Sequence, residues 1–224
     1  MSNSVETHTA AVLDFERVER IGLTEAVFCD RKTVAQIESI LQRFHDRGGR
    51  CLLTRISREK AAALAVHFRE RLDYDPVSLT AFSPGPMPRR DAPAVAVVSG
   101  GTSDAPVCFE VARTLEFHGF GCELFQDVGV AGLWRLRARL EEIRRYPVVI
   151  AVAGMEGALF SVLGGLVGAT VIAVPVSVGY GVAEGGKLAL NAALGSCAPG
   201  LLTVNIDNGY GAACAAIRLL NSRR

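Results

Sequence analysis

The residues Ala-Val-Ala-Val-Val-Ser-Gly-Gly-Thr-Ser-Asp at positions 94–104 combine a short apolar run with a loop of small and polar residues. Such a run, too short for a helix and ended by glycine, is typical of a buried strand in a parallel sheet. The pattern recurs, and each apolar run is followed by a glycine-containing loop and a helix-length segment. The predicted strands lie at 94–98, 121–125, 148–152, 171–174 and 201–206. We therefore predict an α/β fold: an open, doubly wound parallel sheet with helices on both faces, in three layers.

A smaller α/β domain is predicted over residues 14–82, after a flexible tail over 1–13. Apolar residues at helical spacing predict its helices, and short apolar runs predict its strands. The helices are predicted at 15–22, 33–47 and 57–72, and the strands at 26–28, 51–54 and 76–81. A proline-rich linker over 83–92 then separates this domain from the larger one at 93–224.

Composition excludes several classes of protein. Half of the 224 residues are hydrophobic and 21% are charged, which favours a packed core over disorder. The net charge of +1 gives no electrostatic support for binding nucleic acid. The six cysteines form no Cys-x-x-Cys pair and have no metal-ligand spacing with histidine. Because the N-terminus has no secretory pattern, we expect reduced thiols and a cytoplasmic location.

A stretch without charged residues, 157–183, is long enough to cross a bilayer. Its glycines and Pro175 divide it into a helix-length and a strand-length piece, so we predict a buried helix and strand and no contact with a membrane. The scarcity of charge from there to the C-terminus predicts that other subunits cover this part of the chain, in a homo-oligomer.

The loop after the first strand of the larger domain suits an anion. Gly101 lets the backbone approach a phosphate, Thr102 and Ser103 supply hydroxyls, and a helix begins directly afterwards. Neither a Walker motif nor the dinucleotide fingerprint is present. We predict a phosphate or ribose contact, and the compatible alternative is that Ser103 or Asp104 only caps the helix.

Carboxylates follow the next two strands. Asp127 and Glu156 lie at the carboxyl ends of parallel strands, where functional residues of such sheets usually lie. For each of them, N-capping of the following helix is an equally weighted alternative. Glu156 lies in an apolar stretch, so burial is expected to raise its pKa and suit it to proton transfer. The four histidines all fall in the tail or in predicted helices, so acid–base chemistry at this edge of the sheet depends on carboxylates.

The loop at 195–211 carries Cys197 and, after the last predicted strand, the polar side chains Asn205, Asp207 and Asn208. A thiol beside acid and amide groups at a strand end indicates a binding or catalytic site. The alternative is an inert, buried cysteine among small residues.

These motifs resemble a known fold and then depart from it. Residues 94–211 have the layout of the PurE-type aminoimidazole ribonucleotide carboxylases, whose first loop holds a ribonucleotide phosphate, much as the loop at 101–104 would here. Those enzymes have a histidine in the loops after the second and third strands. Here the corresponding loops, 127–132 and 153–158, contain none.

The departures themselves resemble the LarB family of nickel-pincer cofactor biosynthesis, and the resemblance covers nearly the whole chain. The matching motifs are Gly-Thr-Ser-Asp at 101–104, Asp-Val-Gly-Val-Ala-Gly at 127–132, Val-Ala-Gly-Met-Glu-Gly-Ala-Leu at 152–159, Pro-x-Ser-Val-Gly-Tyr-Gly at 175–181, Ser-Cys-Ala at 196–198 and Val-Asn-Ile-Asp-Asn-Gly at 204–209.

The resemblance implies that the pyridinium ring of nicotinic acid adenine dinucleotide is carboxylated and its phosphoanhydride cleaved. Cys197 is then the nucleophile, and Asp104 or Glu156 the base. The substrate-binding residues implied are Gly101, Thr102, Ser103, Asp127, Gly154, Met155, Ser177, Gly179, Tyr180, Gly181, Ser196, Asn205, Asp207 and Asn208. Carbon dioxide or bicarbonate is the co-substrate, no tightly bound cofactor is expected, no metal ligand is assigned, and Mg²⁺ is compatible with the hydrolysis.

The same resemblance implies a homo-octamer. Two other functions stay open. One is a PurE-type carboxylase or mutase acting on aminoimidazole ribonucleotide. The other is a nucleotide-binding module without catalysis.

Overall fold

The computed structural model describes residues 11–88 and 93–222. Most of the predicted N-terminal tail and residues 89–92 of the predicted linker therefore lie outside the described residues.

The N-terminal part is a small mixed sheet with helices. Its strands β1 to β4 lie in the spatial order β1-β2-β4-β3; β1 is parallel to β2, and β4 is antiparallel to both neighbours. The elements are α1 (Arg17–Ile21), β1 (Ala26–Phe28), α2 (Val34–Asp46), β2 (Cys51–Thr54), α3 (Arg58–Ala63), α4 (Val66–Arg69), β3 (Asp73–Asp75) and β4 (Thr80–Ser83). Helix α2 begins with a capping box, in which Thr33 accepts from the Gln36 amide and Gln36 accepts from the Thr33 amide.

Two predictions for this part were wrong. The helix expected over 57–72 is two short helices. The Ala65 amide donates a 2.6 Å hydrogen bond to the Glu38 carboxylate, and the helical hydrogen bonding is interrupted there. Of the strand expected over 76–81, residues 76–79 are a turn between β3 and β4, and only Thr80 and Ala81 are extended, as the start of β4. The Asp75 carboxylate accepts from the amides of Val77 and Ser78, and this local turn displaces the extended conformation.

The larger part is a five-stranded parallel sheet in the spatial order β6-β5-β7-β8-β9, as the alternating pattern predicts. Helices α5 and α9 pack on one face, and α6, α7 and α8 pack on the other, so the predicted three-layer, doubly wound fold is confirmed. The elements are β5 (Val95–Ser99), α5 (Ala105–Phe117), β6 (Cys122–Phe125), α6 (Leu133–Ile143), β7 (Val148–Ala153), α7 (Ala158–Leu166), β8 (Thr170–Pro175), α8 (Lys187–Leu194), β9 (Leu202–Thr203) and α9 (Gly209–Asn221).

The last strand differs from its prediction. A buried strand was expected over 201–206, but β9 has two residues and lies at the edge of the sheet, with Leu202 46% exposed. Beyond it, the Val204 amide donates to Ala173 O and the Asp207 amide to Pro175 O, so the chain still follows β8 without forming a regular strand. The uncharged run 157–183 contains α7 and β8, and no helix in the described ranges is long and apolar enough to cross a bilayer.

The two parts pack through α5. The Phe82 ring of β4 lies 5.4 Å from the Phe117 ring of α5, and the Arg113 guanidinium lies 3.7 Å from the centre of the Phe82 ring. Arg113 also donates 2.8 Å to Asp73 O in β3. A second contact, in which the Arg55 side chain donates a 2.6 Å hydrogen bond to Asp207 O, brings the small sheet to the loop after β9, at the edge of the large sheet where the strands end.

Candidate active site

A cavity of about 270 Å³ opens at the carboxyl ends of β5 and β7. The chain runs from β5 outward to β6 and then returns to β7 on the other side of β5, so the strand order reverses here. Ligands of open α/β sheets bind at such a point. The walls come from the loops after β5, β6 and β7, at 100–104, 129–135 and 153–159, and from Val178. We call this the first cavity.

Close backbone contacts hold these loops in place. A Cβ atom at Gly129 would overlap the Gly100 carbonyl oxygen, and one at Gly154 would overlap the Val178 carbonyl oxygen. The Met155 amide donates 3.1 Å to that same oxygen of Val178. Glycine is therefore required at 129 and 154 for the loops to meet around the cavity.

Asp104 is the buried carboxylate of the first cavity, with 4% of its surface exposed. Burial raises its pKa, and hydrogen bonds from the Gly101 and Gly100 amides partly oppose that rise. Its Oδ2 accepts from the Gly101 amide at 2.8 Å. That amide is therefore already used within the loop, and Ser103, which also lines the cavity, is the group left to meet an anion.

Glu156 lines the same cavity, but the expectation that it would be buried was wrong. It is exposed, because the turn at 154–157 carries it to the mouth of the cavity, with Met155 in a left-handed conformation at φ 51°. The structure therefore brings the two predicted carboxylates together, one buried and one in contact with solvent.

Sequence reasoning missed the cation of the first cavity. Arg135, in the first turn of α6, lines the wall and forms a 2.7 Å ion pair with Asp127. Asp127 itself is not among the lining residues, and its ion pair holds Arg135 at the wall. Its contact with a substrate stays a prediction. Within an amphipathic helix, Arg135 has the sequence pattern of an ordinary surface charge.

Cys197 does not line the first cavity. It is exposed, on the loop between α8 and β9. That loop packs on α7: the hydroxyls of Ser196 and Ser161 lie 2.7 Å apart, and Ala198 lies against Gly164. Since α7 begins at the cavity wall with Ala158, the Cys197 loop packs on a helix that borders the first cavity, and the exposed thiol lies outside the residues that line it.

A second cavity, also about 270 Å³, lies between the two sheets and shares Ser103 and Val178 with the first. The Arg55 side chain lines it from the N-terminal part and donates 2.6 Å to Asp207 O. Asp207 in turn accepts from the Ser177 amide at 2.8 Å. Of the predicted site residues, Ser177 and Asp207 are thus in the second cavity.

Glu110 completes the charged groups of the second cavity. It is 6% exposed and accepts from the Tyr210 amide at 3.3 Å. Burial raises its pKa, and the positive charge of Arg55 partly opposes that rise. No sequence pattern indicates Glu110, in the middle of α5, or Arg55, in another domain, because only the packing of the two sheets brings them together.

The remaining predicted residues line neither cavity. Asn208 caps α9 by accepting from the Gly211 amide at 2.8 Å, and Asn205 accepts from the Ile206 amide at 2.9 Å. Their side chains therefore shape the turn after β9. The other predicted residues outside both linings are Thr102, Gly179, Tyr180, Gly181 and Ser196.

Comparison with known proteins agrees with this architecture. A family model described as a LarB/PurE-like N-terminal domain matches residues 5–83, and one described as AIR carboxylase matches residues 94–224. The chain belongs to the LarB family. An uncharacterized protein of Methanocaldococcus jannaschii is 33% identical to this LarB chain over 207 residues, which are 89% of this chain and 80% of that protein. Both family models support a carboxylase-type enzyme.

No three His, Cys, Asp or Glu side chains converge as a metal site within residues 11–88 and 93–222 of this LarB chain. Magnesium is commonly held in proteins by one or two carboxylates together with phosphate oxygens of a substrate. Asp104 and Glu156, both on the first cavity, supply oxygen ligands of the required type.

Proposed function

We propose that this LarB chain carboxylates the pyridinium ring of nicotinic acid adenine dinucleotide and hydrolyses its phosphoanhydride. The products are AMP and pyridinium-3,5-biscarboxylate mononucleotide, within nickel-pincer cofactor biosynthesis. One observation carries the proposal: a buried carboxylate with a raised pKa, Asp104, lines a cavity at the switch point of the sheet. A carboxylic acid in that setting is suited to proton transfer nearer neutral pH.

The charges of the first cavity match such a ring. The nicotinate ring carries a positive nitrogen and a negative carboxylate. Asp104 and Glu156 attract the cationic ring, and Arg135 can pair with its carboxylate or with the adjoining phosphate. Arg135 already pairs with one carboxylate, that of Asp127, and this ion pair holds its guanidinium at the cavity wall.

The chemistry requires a nucleophile, because an electron-poor pyridinium does not attack carbon dioxide. In our proposal the Cys197 thiolate adds to the carbon beside the ring nitrogen, and the C=N electrons move onto nitrogen. The resulting dienamine attacks carbon dioxide from its next carbon. Asp104 or Glu156 removes the proton from that carbon, and the nitrogen lone pair then expels the thiolate and restores the aromatic ring.

The exposed position of Cys197 leads to a proposal on assembly. Large apolar side chains are exposed on both sides of its loop along the chain, Leu194 at the end of α8 and Leu202 in β9, and two more, Tyr180 and Val182, are exposed before α8. We propose that copies of this chain cover this surface in a homo-oligomer, an octamer by resemblance to the family, and that the thiol of one copy serves the first cavity of another.

The experiment supplies the dinucleotide and ¹³C-labelled bicarbonate to the full chain and analyses the products by mass spectrometry. We expect AMP and a labelled mononucleotide heavier by one carboxylate. Cys197→Ala should abolish labelling, whereas Cys214→Ala, a matched thiol of α9 outside both cavities, should keep it. Full labelling by Cys197→Ala would falsify the thiolate mechanism.

A second candidate is carboxylation of aminoimidazole ribonucleotide, favoured by the AIR carboxylase match over residues 94–224. The loops around the first cavity contain no histidine to act as the proton donor of that reaction. Turnover of aminoimidazole ribonucleotide without turnover of the pyridinium dinucleotide would select this function. Binding of either compound without turnover would indicate a nucleotide-binding module.

A further inference from the structure

The second cavity is built from both domains and adjoins the first. Ser103 and Val178 line both cavities, so a ligand that occupied both would pass these two residues. Each cavity alone is slightly smaller than the roughly 300–1,000 Å³ usual for small-molecule pockets, and the two together fall within that range.

The walls of the second cavity are mostly apolar, with few charged groups. The apolar side chains are Val77, Leu79, Pro106, Val107, Val176 and Val178. The charged groups are the guanidinium of Arg55 and the carboxylates of Glu110 and Asp207. A flat nucleotide base packs well between apolar walls, ribose hydroxyls donate hydrogen bonds to carboxylates, and a phosphate pairs with a guanidinium.

Backbone strain is concentrated at the same place. In residues 11–88 and 93–222, non-glycine residues with positive φ are Arg55, Leu79, Asp127, Met155 and Asp207. Arg55, Leu79 and Asp207 line the second cavity, and Met155 lines the first. Left-handed conformations of such residues are unfavourable and tend to occur at ligand sites.

We propose that the second cavity binds the adenosine monophosphate half of the dinucleotide, while the first binds the nicotinate half; this rests on the function proposed above. The adenine lies between the apolar walls, the ribose hydroxyls donate to Asp207 or Glu110, and the phosphate meets Arg55. The phosphoanhydride then passes Ser103, where the cavities meet. In this arrangement the N-terminal domain is part of the substrate site, and hydrolysis leaves each product in its own cavity.

The test measures AMP and nicotinate mononucleotide binding to the full chain by titration calorimetry. Val77 lines the second cavity, and Val77→Trp should narrow it. Because the Val77 side chain is 43% exposed, the fold should tolerate the larger residue. We expect AMP to bind at least about tenfold more weakly and the mononucleotide to be unchanged, because a filled pocket excludes its ligand. Val66→Trp, an exposed valine of α4 outside both cavities, is the control and should bind both as the wild type does.

Arg55→Ala tests the phosphate contact. Loss of a charge-assisted hydrogen bond should lower the affinity for AMP by about tenfold or more. Arg58, three residues away, is an exposed cation, and Arg58→Ala should leave the affinity for AMP unchanged. Thermal denaturation of Arg55→Ala shows whether loss of the bond to Asp207 alters the fold.

The two proposals fail in different ways. Unchanged AMP affinity in Val77→Trp and Arg55→Ala, or equal loss of both mononucleotides, overturns the second-cavity assignment even if ring labelling continues. Absent ring labelling with AMP binding still sensitive to Val77→Trp overturns the proposed reaction and leaves a nucleotide site between the domains.

Discussion

Asp104 and Glu156 line one cavity, but the protein treats the two carboxylates differently. Burial raises the pKa of Asp104, whereas Glu156 is exposed to solvent at the mouth. A base is most effective when its pKa approaches the working pH, so the buried carboxylate is the better candidate to remove the ring proton in the reaction that we propose. Glu156 is then better placed to attract the cationic ring.

Substitution at these two positions distinguishes the roles. Asp104→Asn should lower the carboxylation rate by about 10²–10⁴-fold, the usual contribution of a positioned general base. Glu156→Gln should mainly raise the KM, since it weakens attraction of the ring. Steady-state kinetics with the labelled assay gives both values. The assignment is reversed if Glu156→Gln loses the rate and Asp104→Asn keeps it.

The raised pKa of Asp104 also affects stability. Because its folded pKa lies above the unfolded value of about 3.9, the native state binds more protons in the interval between the two values. Its contribution to the free energy of unfolding is fully present below the unfolded pKa and is lost as the pH rises through the folded pKa. Denaturation from pH 3.5 upward, roughly the start of that interval, should show wild type losing stability relative to Asp104→Asn. A pH-independent difference would contradict the burial of an ionisable group there.

At the scale of the element, the turn after β7 depends on Gly154. A methyl group there would overlap the Val178 carbonyl oxygen and force apart the loops that form the first cavity. Gly154→Ala should lower the free energy of unfolding by about 1–3 kcal/mol, as overpacking does, and reduce activity. Gly165→Ala on α7 is the matched control. It meets nothing within 4 Å and should stabilise the helix slightly. Chemical denaturation of both variants measures the contrast, and equal stabilities would contradict the close approach of the loops.

The elements also show what sequence patterns could and could not predict. Nearly continuous apolar runs identified the strands β5, β7 and β8, because burial on both faces leaves a local signal. The edge strand β6 is partly exposed and contains Glu123, and it was identified by its place in the alternating pattern. The break between α3 and α4 was missed, since it depends on Glu38, far away in the chain. Asp104 and Glu156, in loops after strands, could be placed near one another from the sequence, because the carboxyl ends of parallel strands lie at the same edge of a sheet. Arg55 and Glu110 could not, because they meet only when the two domains pack.

At the scale of the whole molecule, a single chain leaves Cys197 outside the lining of the first cavity. It also leaves Leu194 and Leu202, which flank the Cys197 loop along the chain, exposed, together with Tyr180 and Val182 before α8. Large apolar side chains clustered on a surface indicate contact with another chain. If copies pair through this surface, one assembly both buries these residues and supplies the missing thiol. Val182→Glu places a charge at a position that is 91% exposed, so the monomer should stay folded. The molar mass measured by light scattering should then be lower than that of the wild type.

Mixing two inactive variants tests whether the site is shared between copies. Cys197→Ala chains keep the first cavity intact, and Asp104→Asn chains keep the thiol. If the thiol of one copy serves the cavity of another, mixed oligomers contain complete sites. Random exchange of equal amounts should then restore about a quarter of wild-type activity, because each site draws its two parts independently from either kind of chain. Exchange can be driven by dilute denaturant and followed by the labelled assay. If thiol and cavity instead came from the same chain, every site in the mixture would lack one part, and activity would stay at the level of the separate variants. The Val182→Glu background should prevent the recovery, because chains that do not associate cannot share a site.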